Sequence, residues 1–306
     1  MRRLQGNQHI DNRSGFSLVE LLIVIVILGI LVALILPAIV GARRNAQVAE
    51  VANEIRQLET AVTKFKSTFN VDPPSSLYIP PVGTAWNAVD RAKIRALWPQ
   101  FDFSTNGLGP LRTPQEPGDA LLRNGNLHLN GAECLVFFLG GVSPTAHSSS
   151  RPYTPVGFSK NPQTPWSLVG TNRETPPFEF PVDRFTDLDN DGLPELLDPL
   201  PSQKTPYLFL SSQGRTYNKL NKPLPDDYDV HPSSNDQSSE DLQAAYFTVE
   251  IPYKAQRPDG YQIISPGFDG LYGTGGSYTD AAQLEKTPRT PEYDNITNFS
   301  GGLLKP

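Results

Sequence analysis

Two hydrophobic patterns follow one another near the N-terminus. The run Leu21–Ala42 contains no charged residue. Coiled as a helix at about 1.5 Å per residue, it spans roughly 33 Å, the hydrocarbon thickness of a bilayer. Arg43 and Arg44 close this run. Beyond them Val48, Val51, Ile55, Leu58, Val62, Phe65 and Phe69 recur every three or four residues, the seam of an amphipathic helix. Glu50, Glu54, Arg56, Glu59, Lys64 and Lys66 supply its polar face. Asp72-Pro73-Pro74 stops it, because a residue before proline disfavours helix. The pattern predicts one helix from Phe16 to Asn70, roughly 80 Å long. Pro37, with Gly29 upstream, should kink or loosen it. The seam is also compatible with a coiled-coil strand.

Downstream of residue 72 the pattern breaks up. Pro37 aside, every proline lies there, so the elements must be short and the loops many. A helix is predicted from Asn87 to Trp98, with Val89, Ile94, Leu97 and Trp98 as its buried side. The apolar run Glu133–Leu139 reads equally as helix or buried strand. Tyr207–Leu210, Tyr246–Ile251 and Tyr261–Ile264 read as strands. Residues 142–181 and 211–243, rich in Pro, Ser, Asn and charge, are expected to form long surface loops. The fold class is α+β, with no internal repeat and no clear second domain.

Composition narrows the chemistry. The chain is acidic, with 26 basic and 32 acidic residues. No basic face with interleaved aromatics suggests nucleic acid as a partner. Cys134 is the only cysteine, which excludes an intrachain disulfide. His128, His147 and His231 lack metal-ligand spacing, and no nucleophile elbow, P-loop or zinc-binding helix is present. The expectation is a protein that is not an enzyme.

The head of the apolar run carries the sharpest signal. Arg2, Arg3 and Arg13 form a basic leader, and Glu20 stands alone in front of the uncharged stretch. A carboxylate near a bilayer centre costs about 2.5 kcal/mol or more, so it calls for a partner. Cutting after Gly15 would create an α-amino group on Phe16, close to that carboxylate. The basic leader, Gly15, Phe16, Glu20, and Pro37 within the apolar stretch together resemble the class III signal of type IV prepilins and type II secretion pseudopilins. An ordinary signal anchor does not require Gly, Phe and Glu in this order. A cleavable secretory signal would be shorter, with small residues at its far end.

The resemblance implies a division of the chain. Residues 1–15 would be a leader removed and replaced by a methylated amine through prepilin peptidase. Residues 16–42 would be the transmembrane and assembly half of the helix, and 43–72 its amphipathic half, packed across a small antiparallel sheet. Residues 73–306 would be a loop-rich domain outside the cytoplasm. It further implies single-pass insertion in the inner membrane with the domain in the periplasm. Polymerisation with other pilin or pseudopilin subunits on an inner-membrane platform would follow, with Glu20 neutralised by the Phe16 amine of a neighbour. A membrane-tethered calcium-binding or adhesion domain that never forms a filament is the alternative.

Two acidic loops complete the picture. Asp187, Asp189, Asp191, Glu195 and Asp198 take ligand positions of a twelve-residue calcium loop, with Gly192 at the bend and Leu193 at the backbone-carbonyl position. Asp198 replaces the usual bidentate Glu, Pro194 lacks an amide hydrogen, and no amphipathic helix flanks the loop. Further on, Ser265-Pro266-Gly267-Phe268-Asp269-Gly270 and the later Asp294-Asn295-Ile296 resemble the C-terminal segment of the major pseudopilin. That resemblance implies calcium held by Asp269 and Asp294, with Asp280 a third candidate. One or two Ca2+ sites are therefore expected.

Overall fold

The computed structural model describes residues 17–106, 127–144, 153–188, 192–212, 246–249, 254–258, 260–279, 284 and 289–305. It divides into two compact units, residues 1–46 and 47–306. The expectations for Gly15, Phe16, Asp189, Asp191, Asp280, His147, His231 and the stretch 213–243 fall outside the described residues.

The first unit is the beginning of helix α1 (Leu18–Phe69), which continues through Pro37 without a break. Its apolar side chains lie exposed, Leu34 by 72% and Leu36 by 59%. By length and composition this helix is apolar enough to cross a membrane.

The second unit is built on the later half of α1. Val51, Ile55, Leu58, Val62 and Phe65 are buried, as the seam spacing demands, and Val48 and Phe69 pack at its edge. The helix stops at Asn70, whose backbone is left-handed (φ 60°) and whose amide donates to the Lys66 carbonyl at 2.8 Å. The chain then forms β1 (Leu77–Ile79), α2 (Ala88–Leu97) and β2 (Leu127–Leu129), with β1 and β2 antiparallel. Helix α3 (Gly131–Gly140) resolves the ambiguous apolar run as a buried helix. Its start is fixed by a capping box in which Asn130 and Glu133 each bind the other's amide.

The remaining strands are short. β3 (Phe185–Thr186) and β4 (Glu195–Leu196) form a hairpin. β5 (Leu208–Ser211), β8 (Tyr261–Ser265) and β10 (Ile296–Thr297) form an antiparallel sheet in the order β10-β8-β5. Leu208 pairs with Ile264 and Phe209 with Ile263. Tyr207, Phe209, Tyr261 and Ile263 share the core of α1. Leu208, Leu210 and Ile264 face a second cluster with Tyr246, Tyr272 and Tyr278. Burial on both faces is why these strands read as unbroken apolar runs. β6 (Tyr246–Val249) lies between β7 (Lys254–Ala255) and β9 (Gly276–Ser277), antiparallel to the first and parallel to the second. The sheets are thus mainly antiparallel, and the architecture is a pilin-like α+β fold.

Three expectations change. Val89 is 61% exposed, and Asp90 takes its place inside α2, bound by Asn87 and by Lys93 at 3.1 Å. Within the expected surface loop, Tyr153, Phe158, Trp166 and Phe180 are core residues. Trp166 packs edge-on against Trp98 and Phe101, so irregular backbone here delivers aromatic bulk that a loop-rich domain lacks from its strands. Finally, Glu54 and Glu59 are not simply a solvated face. Glu54 accepts from both terminal nitrogens of Arg184 and from the Tyr207 hydroxyl, and Glu59 pairs with Arg257 at 2.8 Å.

Candidate functional site

At the head of α1, Ser17 precedes the first helical residue. Its amide donates to Glu20 Oε2 at 2.9 Å, and its hydroxyl accepts from the Val19 amide at 3.3 Å. These are amides that a helix start leaves without partners, and Ser-x-x-Glu is a capping-box spacing. The lone acid is therefore fixed in the first turn, directly beside the expected cut. Pro37 lies inside the helix and contributes no amide hydrogen there.

The first acidic loop is the connection of the β3–β4 hairpin. Asp187 Oδ2 accepts from the Gly192 amide at 3.1 Å, and Glu195 Oε2 accepts from Leu188 at 3.2 Å. Gly192 has φ 90°, the bend its position in the loop calls for. Leu193 and Glu195 are both buried, at 3% and 1% exposure.

Asp198 is held by donors from beyond this loop. Its Oδ1 accepts from the Leu200 amide at 3.0 Å, and its Oδ2 accepts from Gln203 Nε2 at 3.0 Å and from the Ser265 hydroxyl. Burial raises its pKa above the ordinary carboxylate value, against the pull of these hydrogen bonds. Gln203 Nε2 also donates to the Gly267 carbonyl at 3.0 Å, and the Thr205 hydroxyl donates to the Gly270 carbonyl at 2.8 Å. The segment after β4 thus grips the turn after β8.

That turn meets Asp294. Asp294 Oδ2 accepts from the amides of Phe268 at 2.7 Å and Asp269 at 3.2 Å. Gly267, at φ 69°, makes the approach possible. A Cβ there would stand 2.4 Å from the Asp294 carbonyl oxygen and 2.7 Å from its carboxyl carbon. Asp269 Oδ1 accepts from the Leu271 amide at 2.8 Å. Its pKa is raised, first by desolvation and further by the Asp294 charge, while the Leu271 bond works the other way. The two predicted carboxylates are brought together, and one oxygen of each takes no hydrogen bond among the described residues.

This donor set fits a hard cation. Calcium accepts carboxylate and backbone carbonyl oxygens together with water, and neutralises carboxylates that repel one another. Among the described residues no group of three His, Cys, Asp or Glu side chains could hold a metal. Asp269 and Asp294 would therefore need carbonyl or water oxygens beside them.

Sequence reasoning missed the buried carboxylate of Glu292, two residues before Asp294. Glu292 is fully buried and accepts from Arg289 Nε at 2.7 Å, the Thr274 amide at 3.1 Å, the Gly275 amide at 3.2 Å and the Tyr246 hydroxyl at 2.8 Å. Gly273 packs on it so closely that a Cβ would lie 2.4 Å from Glu292 Cγ. The Arg-x-x-Glu spacing was the available signal. Asn295 and Asn298, which fit glycosylation sequons, are buried at 0% and 8% exposure.

The prokaryotic N-terminal methylation motif is matched over residues 10–36. Type II secretion system core protein G of Aeromonas hydrophila is 39% identical over 61 residues, which is 20% of this chain and 43% of that protein. The protein of the same name from Escherichia coli is 36% identical over 56 residues, 18% of this chain and 39% of that protein. That from Pseudomonas aeruginosa is 37% identical over 54 residues, 18% and 38% of the respective chains. The chain thus spans about two fifths of the length of the curated relatives it matches. No solved structure matches it. The likeness to core protein G thus lies at the N-terminus, where the methylation motif is laid over an apolar helix whose first turn holds a single acid.

Proposed function

We propose that the protein is a structural subunit of a type II secretion pseudopilus or a related pilus-like filament. The observation that carries the reading is Glu20, held in the first turn of a helix just ahead of the uncharged run Leu21–Ala42, within the methylation motif. In this account prepilin peptidase removes residues 1–15 and leaves Phe16 with a free or methylated amine. Before assembly the subunit sits in the inner membrane through the first part of α1, with residues 73–306 in the periplasm. On an inner-membrane platform the apolar helices pack together, and Glu20 is neutralised by the Phe16 amine of a neighbour. An unpaired charge in an apolar bundle is strongly destabilising, whereas a pair fixes axial register.

The domain outside the membrane has a supporting role. Asp269 and Asp294 hold Ca2+, which tethers the turn after β8 to the segment before β10. When bound, the ion supplies charge neutralisation and no chemistry. Gly267 lets the backbone approach, and the Phe268 and Asp269 amides orient Asp294. Such a site stabilises the subunit in a calcium-containing compartment by mass action.

The reading is tested with Glu20→Ala, expressed beside its secretion genes. Cleavage of the leader is expected to proceed as in the parent while filament formation is lost. Parent-like filaments would overturn the pairing of Glu20 with a neighbour.

A further inference from the structure

We infer that Asp198, Gln203 and Thr205 are positioning residues for the cation held by Asp269 and Asp294, an assignment that rests on the calcium reading above. By the spacing of the upstream acidic loop alone, Asp198 would be the terminal ligand of a different site. In the folded chain it is 2% exposed, with both oxygens bound by protein donors. One of those donors is Ser265, itself buried, at the base of the turn that carries Asp269.

The three side chains hold three successive points of one turn. Asp198 takes the Ser265 hydroxyl, Gln203 takes the Gly267 carbonyl, and Thr205 takes the Gly270 carbonyl. Gln203 ties the first contact to the second, because the same amide nitrogen donates to Asp198 and to Gly267. The Gln203 side-chain oxygen accepts from the Lys204 amide at 3.0 Å and the Thr205 amide at 3.2 Å, which folds the gripping segment itself.

This geometry bears directly on the ligands. Asp269 lies between the two clamped carbonyls, and the Phe268 and Asp269 amides are what orient the Asp294 carboxylate. Holding Gly267 and Gly270 therefore sets the separation of the two carboxylates before any ion arrives. Outer partners that orient ligands in this way typically contribute tenfold or more to metal affinity.

The test is calorimetric titration with CaCl2 of the full processed chain in detergent micelles, paired with melting curves in EGTA and in calcium. Gln203→Leu and Thr205→Val, the second nearly isosteric, are each expected to weaken calcium binding about tenfold. They should shrink the calcium-induced rise in Tm accordingly. Thr205→Ser keeps the hydroxyl and is expected to bind as the parent does. A general packing defect would lower Tm in EGTA while leaving the affinity alone. Calcium affinity equal to the parent in both Gln203→Leu and Thr205→Val would overturn the positioning role while leaving the site intact. No heat and no Tm shift in the parent would remove the site and the positioning role together.

Discussion

The Ser17 amide donates a 2.9 Å hydrogen bond to Glu20 Oε2, so the acid at the head of the apolar helix caps its own first turn. This gives the carboxylate a partner within the chain before any neighbour is present. Glu20→Ala removes capping and charge pairing together. Glu20→Gln retains the capping acceptor, since Gln serves in a capping box as Glu does. The account predicts that Glu20→Gln is inserted and processed normally yet fails to assemble, like Glu20→Ala. Filament yield by sedimentation and electron microscopy checks this, and assembly rescued by Gln would show that the cap alone suffices.

Arg184 joins the β3–β4 hairpin to α1 by its fork on Glu54, which the Tyr207 hydroxyl also reaches at 2.8 Å. Arg184→Met leaves that carboxylate half-buried without its cation. Losing charge-assisted hydrogen bonds of this kind costs about 2 kcal/mol. Chemical denaturation of the full chain in detergent should show that loss, and the double substitution Arg184→Met with Glu54→Gln should recover part of it.

Tyr207 also sets an alkaline limit. It is fully buried, and desolvation raises its pKa well above 10, with Glu54 and Asp198 adding to the effect. Tyr261 is pushed up to about 12, again chiefly by desolvation. In the unfolded chain both ionise near 10. Their raised folded values mean that this stability is complete below pH 10 and is lost as pH climbs toward the folded pKa values. Each tyrosine steepens the decline by about 1.4 kcal/mol per pH unit. Denaturation midpoints should fall above pH 10, and Tyr207→Phe should flatten that slope while lowering stability at neutral pH by about 1 kcal/mol.

Glu292 holds the Thr274 and Gly275 amides independently of any ion, with Arg289 neutralising its charge. Glu292→Gln leaves a buried guanidinium without its counter-charge, and Arg289→Leu leaves a buried carboxylate. Either should destabilise the chain by about 3 kcal/mol, in EGTA and in calcium alike. Melting curves under both conditions check this. A loss seen only with calcium would mean that Glu292 serves the cation site.

The helix was readable because Val51, Ile55, Leu58, Val62 and Phe65 obey a local periodicity that burial then uses. The capping spacings Ser17…Glu20 and Asn130…Glu133 were readable too, and the second would have settled α3 as helix. Other features depended on distant partners. Glu54 meets Arg184, 130 positions away, and Glu59 also accepts from Asn298, 239 positions away, so nothing in their neighbourhood marks them as clamps. Asp198 fits a local calcium spacing, yet its carboxylate also accepts from Ser265, 67 positions away, a contact that no local pattern announces. Val89 and Asp90 exchanged places because Asn87 and Lys93 made a buried carboxylate tolerable. Asp269 and Asp294 were readable only through resemblance, since 25 residues separate them.

The most direct test of the whole account is mass spectrometry of the N-terminus of protein recovered from cells that carry a prepilin peptidase. A chain beginning at Phe16, with its amine methylated, is the predicted result. A chain still beginning at Met1 under those conditions would contradict it, because Glu20 would then have no processed amine to meet.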